Sequence, residues 1–85
     1  MAYRIQDQGP TPREEAVKAE LQAAVRRAVD QLPEPFKMVI VLRDIQELPY
    51  EEIAVICGER VGTVKSRLHR ARGLLRAILL KGGSP

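Results

Sequence analysis

Near the C-terminal end of the sequence, Lys65, Ser66, His69 and Arg70 recur at the spacing that places four side chains on one face of a helix. Their chemistry is that of charge and hydrogen bonding: Lys and Arg donate, Ser donates and accepts, and His does either according to its protonation. Together they suit recognition of an anionic surface that displays donors and acceptors, rather than covalent catalysis. Ser66 has only His69, one turn away, as a neighbouring base, and a serine–histidine enzyme also needs a pocket that an 85-residue helical domain rarely supplies. His69 is the single histidine and Cys57 the single cysteine, which excludes a histidine-pair metal site, a cysteine zinc site and an intramolecular disulfide. Cys57, at the end of an apolar segment, reads as a buried small hydrophobe and not as a redox sensor. Glu51 and Glu52 open a helix, where carboxylates meet its positive end, and need no catalytic role. The sequence reads as a non-enzyme with no metal and no cofactor.

The charge distribution points the same way. Residues 1–58 carry a net −3, whereas residues 59–85 hold seven Lys/Arg against Glu59 alone, a net +6. A mildly acidic body with a basic C-terminal third suggests a polyanion partner for that third, nucleic acid first among them. A solvated basic helix without a ligand is the competing reading. At 45% hydrophobic and 29% charged residues the composition is globular. No apolar run approaches the roughly 18 residues that a membrane span needs, and the first ten residues, MAYRIQDQGP, are polar and unlike a signal peptide. The expectation is a soluble, cytoplasmic-type domain.

The elements that must position these residues are helical. Residues 1–11 read as a tail, with Gly9-Pro10 and Pro12 and no periodicity. Thr11-Pro12-Arg13-Glu14 reads as a helix start, with Thr11 as cap, proline in the first turn and Glu14 closing a capping box. Val17, Leu21, Ala24, Val25, Ala28, Val29 and Leu32 then follow helical steps as one apolar stripe, ending near Gln31 because Pro33 and Pro35 follow. Arg26 and Arg27 fall on the solvated side. From Pro33 to about Gln46 the run Met38–Leu42 could be a strand, but prolines are tolerated in a first helical turn and a lone strand would have no partner, so a helix is predicted. On it Phe36, Val39 and Ile40 take one side and Met38, Val41, Leu42 and Ile45 the other. Such a two-sided helix is either buried on both sides or offers one to a partner. Tyr50–Cys57 is a short helix with Ile53, Ala54 and Ile56 as its apolar positions, stopped by Gly58. After Glu59-Arg60 a long helix runs from about Val61 to Leu80, and residues 82–85 read as a disordered tail. Two helices joined by a tight glycine turn, the second one basic, match a helix-turn-helix.

On the last helix, Val64, Leu68, Ala71 and Leu75 fall within about 60° of one another at about 100° per residue and form the inward stripe. Opposite stand Gly62, Ser66, His69 and Gly73. Lys65 and Arg72 flank that line on one side, and Thr63, Arg67 and Arg70 on the other. The outward face has a hydrogen-bonding centre, cationic edges and no acid. That suits a helix in a DNA major groove: the centre reaches base edges, the edges meet phosphates, and the glycines admit close approach. The N-terminal turns go deepest, which assigns base reading to Lys65, Ser66, His69 and Arg70 and phosphate contact to Arg60, Arg67 and Arg72, with Thr63 beside them.

Four segments then occur in one order: Leu32-Pro33-Glu34; Val41-Leu42-Arg43-Asp44; Leu48-Pro49-Tyr50-Glu51-Glu52-Ile53-Ala54; and Val61-Gly62-Thr63-Val64-Lys65-Ser66-Arg67-Leu68-His69-Arg70-Ala71-Arg72. Together they closely resemble region 4 of the extracytoplasmic-function (ECF) bacterial sigma factors, over about residues 12–80. The resemblance implies an all-α, four-helix domain over residues 12–81 with a C-terminal helix-turn-helix and no wing. It implies binding of double-stranded promoter DNA at the minus-35 element, docking on the β flap of RNA polymerase, and for many members an anti-sigma factor. It puts Lys65, Ser66, His69 and Arg70 at groove-facing positions and Arg43, Tyr50, Arg67 and Arg72 at flanking backbone positions; Arg43 and Tyr50 enter by the resemblance alone. The sequence departs from the family at Pro49, which replaces a capping hydroxyl; at Glu59-Arg60, where a more exposed turn or a salt bridge is expected; and at Ile45-Gln46-Glu47, where a glycine is usual. With no counterpart of region 2, the chain is expected to be a piece of a longer sigma factor, with residues 1–11 ending the inter-region linker.

Met38, Val41, Leu42 and Ile45 have two readings: packing against the later helices, or a surface for the β flap or an anti-sigma helix. The alternatives to promoter binding are a module that chiefly docks on polymerase or an anti-sigma factor, and a free-standing helix-turn-helix regulator. The latter class usually dimerises, whereas this chain is expected to act as a monomer.

Overall fold

A computed structural model of the chain describes Gly9 and residues 11–82, and the architecture is all-α. The helices are α1 (Pro12–Asp30), α2 (Phe36–Ile40, continued as a π-helical turn over Val41–Ile45), α3 (Tyr50–Cys57) and α4 (Val61–Gly82). Apart from Gly9, Thr11 and Gly82, the tails expected at 1–11 and 82–85 lie outside the described residues.

Local chemistry sets the ends of each helix. The Thr11 hydroxyl accepts from the Glu14 amide at 3.1 Å and the Glu14 carboxylate accepts from the Thr11 amide at 3.0 Å, the reciprocal box read from the sequence. Past α1 the chain turns through Pro33 and Pro35, and a Lys37–Asp30 ion pair at 3.2 Å ties the start of α2 to the end of α1. Pro49 caps α3 without a side-chain acceptor, so Glu51 and Glu52 supply the favourable charge there. At the end of α3, Gly58 adopts φ +68°, and the Gly58 and Glu59 amides close onto the Val55 and Ala54 carbonyls, a Schellman end that turns the chain into α4.

The end of α2 differs from the plain helix predicted for Pro33–Gln46. The helix begins three residues later and finishes as a π turn, with the Gln46 amide on the Val41 carbonyl at 2.9 Å and the Leu48 amide on the Leu42 carbonyl at 3.0 Å. This wider spiral is closed by Glu47 in the left-handed region at φ +59°, where a glycine would sit without strain.

All four helices and the turn after α1 feed one core. Val29, Leu32, Val39, Ile40, Leu42, Ile53, Ala54, Val64, Leu68 and Ala71 are buried together, with Phe36, Val41, Leu48, Tyr50, Cys57, Val61, Leu75 and Ile78 packed around them. Among the described residues no polar or charged side chain is buried. The Cα trace measures 54 × 33 × 14 Å, about two helix layers deep.

That thinness decides how far each apolar face is buried. The apolar stripe of α1 is buried only at Ala28, Val29 and the following Leu32; Val17, Leu21 and Val25 are 49%, 62% and 40% exposed, because the other helices cover little of α1 before Ala28. Of the apolar positions of α3, Ile53 and Ala54 are buried while Ile56 is 52% exposed, and Cys57 is half-buried rather than buried as expected. Leu42, on the second apolar side of α2, takes the packing reading and is core at 7% exposure. It lies about 60° from Val39 on the helix, and a thin core recruits the wider arc.

Two stability measurements follow. Leu68→Ala, which opens a cavity in the core, is expected to cost about 2–5 kcal/mol in urea unfolding, and Leu21→Ala well under about 1 kcal/mol. Glu47→Gly is expected to stabilise by about 0.5–1 kcal/mol by relieving the left-handed backbone, and a loss of stability would contradict that reading of the turn.

Candidate nucleic-acid interface

Exposure and positive charge coincide on α4. Its inward stripe is as the sequence predicts: Val64, Leu68 and Ala71 are buried and Leu75 is half-buried. Because the helix is rigid from turn to turn, burying that stripe turns the opposite side to solvent. Lys65, Ser66, His69 and Arg70 are all exposed, and they occupy one continuous arc of about 140° at about 100° per residue. Gly62 and Gly73 stand on the same side, and a Cβ at either would meet nothing within 4 Å. Lys65, Arg67, Arg70, Arg72, Arg76 and Lys81 put six cations on α4, which carries no acid.

The edges of that face are held by the other helices. On one edge the Arg72 guanidinium pairs with both oxygens of Asp44, its Nε donating at 3.0 Å. These hydrogen bonds, above all, raise the Arg72 pKa from its already high ordinary value, so its charge is permanent. Both side chains are partly exposed, and such a pair contributes at most about 1 kcal/mol. Beside it the Tyr50 ring receives two cations: the Arg43 guanidinium carbon lies 4.6 Å and the Lys65 Nζ 5.4 Å from its centroid. Arg43 Nη1 also donates to the Leu48 carbonyl at 2.8 Å, bracing the turn before α3. On the other edge Arg67 pairs with Glu59 at 3.4 Å, the salt bridge offered as one outcome for that turn. The Arg70 guanidinium lies 5.8 Å from the centroid of the Phe36 ring.

The residues singled out in the sequence therefore fall into two groups. Lys65, Ser66, His69 and Arg70 are brought together on the exposed face, with Arg60 exposed at its N-terminal end and Thr63 half-buried beside it. Ser66 donates to the Thr63 carbonyl at 3.2 Å, a local bond that leaves the hydroxyl oxygen able to accept. Arg43, Arg67 and Arg72 are engaged within the protein, each at the margin of the face. Asp44 and Phe36 were not foreseen as part of this surface: Asp44 is 28 residues from Arg72, and no periodicity links them. The proposed partner face of α2 divides. Leu42 is core and Val41 packs against the core, so only Met38 and Ile45, at 43% and 49% exposure, remain as apolar surface.

Comparison with known proteins accords with this geometry. The family model described as "Sigma-70, region 4" matches residues 16–75, most of the chain. The chain belongs to the sigma-70 region 4 family. It is similar to the ECF RNA polymerase sigma factor SigE of Mycolicibacterium smegmatis, at 41% identity over 95% of this chain and 32% of that protein. It is similar also to the ECF RNA polymerase sigma factor SigW of Bacillus subtilis, at 40% over 93% of this chain and 42% of that protein. The ECF RNA polymerase sigma-E factor of Haemophilus influenzae is 43% identical over 76% of this chain and 34% of its own length. The chain thus spans about a third to two fifths of these relatives. The region 4 match runs from within α1 to Leu75 in α4, and every residue of the acid-free arc lies inside it. Among the described residues of this region 4 domain, no helix is long and apolar enough to cross a membrane.

Proposed function

We propose that this domain binds double-stranded promoter DNA at a minus-35 element, as the sequence-reading part of an RNA polymerase sigma factor, and carries out no catalytic step itself. The observation that supports this best is the arc of Lys65, Ser66, His69 and Arg70, exposed as one unit because Val64, Leu68 and Ala71 are buried behind it. In this reading those four side chains meet base edges in the major groove, where donors and acceptors encode sequence. Arg60, Thr63, Arg67 and Arg72, with Arg43 at the end of α2 and Tyr50 at the start of α3, follow the phosphates. Arg67 and Arg72 approach the backbone while held by Glu59 and Asp44, so each brings geometry as well as charge. The RNA polymerase named in the relatives' descriptions is the proposed protein partner. Met38 and Ile45, the apolar positions of α2 left exposed, are its proposed contact on this domain, and an anti-sigma factor is a second proposed occupant of the same surface.

Fluorescence anisotropy on a duplex selected from a random library tests this reading. Ser66→Ala and Arg70→Ala are expected to lose about 1–3 kcal/mol each on the selected duplex and little on unrelated ones. Arg72→Ala is expected to weaken all duplexes alike and to reduce the magnitude of the salt slope by about 0.9. Asp44→Asn, which removes the neutralising charge while keeping an acceptor beside Arg72, is expected to strengthen all duplexes. Equal losses on every sequence for all three alanine variants would overturn the assignment of base readers.

A further inference from the structure

The placement of one aromatic ring goes beyond these roles. Tyr50 is the first residue of α3, half-buried at the margin of the core, where its ring meets cations from two other parts of the chain. Arg43, from the end of α2, lies 4.6 Å from the ring centroid and is itself pinned by its 2.8 Å bond to the Leu48 carbonyl. Lys65, from the second turn of α4, brings its Nζ to 5.4 Å from the same centroid. The first cation is fixed by a backbone acceptor. The second sits on a flexible four-carbon stem and, among the described residues, makes no hydrogen bond or ion pair, so the ring is the one directional restraint on its ammonium there.

We infer that Tyr50 is a positioning residue for Lys65: its aromatic ring, braced by Arg43, holds the Lys65 ammonium in the orientation that reads its base, and so sets sequence preference at that base pair. The inference rests on the promoter-binding reading and deepens it. It differs from a phosphate contact by Tyr50, because a phosphate would be met by the hydroxyl, whereas the ammonium is held by the ring face. A lysine that reaches a base edge from a free rotamer distribution loses that freedom on docking; one already restrained by the ring loses less. The benefit therefore falls on the base pair that Lys65 meets and is absent elsewhere.

A double-mutant cycle tests this on the selected duplex and its single-base variants, with Tyr50→Phe, Tyr50→Leu, Lys65→Ala and the Tyr50→Leu/Lys65→Ala pair. Lys65→Ala is expected to flatten the preference at one base pair. Tyr50→Leu is expected to flatten preference at the same base pair by about two- to fivefold, the range of an exposed cation–π contact, and to add nothing in the Lys65→Ala background. Tyr50→Phe is expected to keep the preference. Equal weakening of every duplex by Tyr50→Leu, or the same loss with and without Lys65, would overturn the inference while leaving promoter binding intact. A wild-type domain that selects no sequence would overturn both. A second readout stands even if Tyr50→Leu fails to fold: in the free wild-type and Tyr50→Phe domains the Lys65 ε-methylene protons are expected upfield of those of the other lysines in NMR spectra, by ring-current shielding. Their absence from that position would also overturn the inference.

Discussion

Burial of Val64, Leu68 and Ala71 against α2 and α3 fixes how α4 is rotated about its own axis, and the remaining features of the surface follow from that rotation. A turn of the helix by one residue would move each side chain by about 100° and carry Lys65, or in the other direction Thr63, into the core, where an unpaired charge or hydroxyl is costly. The apolar stripe therefore does two things at once. It supplies much of the core of a chain too small to have a thick one, and it determines which side chains face outward. The absence of acids from α4 then gives that outward face a single sign of charge.

The other helices contribute more than a scaffold. Asp44, Glu59, Phe36 and Tyr50 each contact a cation at the margin of the α4 face, two on either side. Long basic side chains lose rotamer freedom when they dock, and neighbours that already restrain them reduce that loss. The carboxylates also subtract charge. Arg67 and Arg72 are partly neutralised in the free protein, which lowers the net positive charge at the margins of the face relative to its centre.

Much of this was legible in the sequence because it is local. The Thr11–Glu14 capping box, the Gly58 stop, and the inward stripe and outward arc of α4 depend on residues within a few positions of one another. The features that were not legible depend on packing between distant segments. Val17 and Leu21 have the same helical periodicity as Val29, yet they are exposed, because nothing in α1 itself indicates where the second helix layer ends. Which of Met38, Val41, Leu42 and Ile45 pack inward is open in the sequence, because Leu42 lies at the margin of the inner arc and the breadth of that arc is set by α3 and α4. The Asp44–Arg72 pair joins residues 28 apart, and the π turn that ends α2 follows from closing the chain through Glu47, where the glycine usual in the resembling family is missing.

The central claim is that the exposed side of α4 is the surface that meets DNA. Thiol protection tests it directly, since Cys57 is the only native cysteine and can be replaced by serine. In that background, Gly62→Cys places a thiol on the outward line, where a Cβ meets no neighbour, and Leu21→Cys places one on the exposed half of α1. The account predicts that saturating promoter duplex slows alkylation at position 62 and leaves position 21 unchanged. Protection at position 21 with none at position 62 would contradict it.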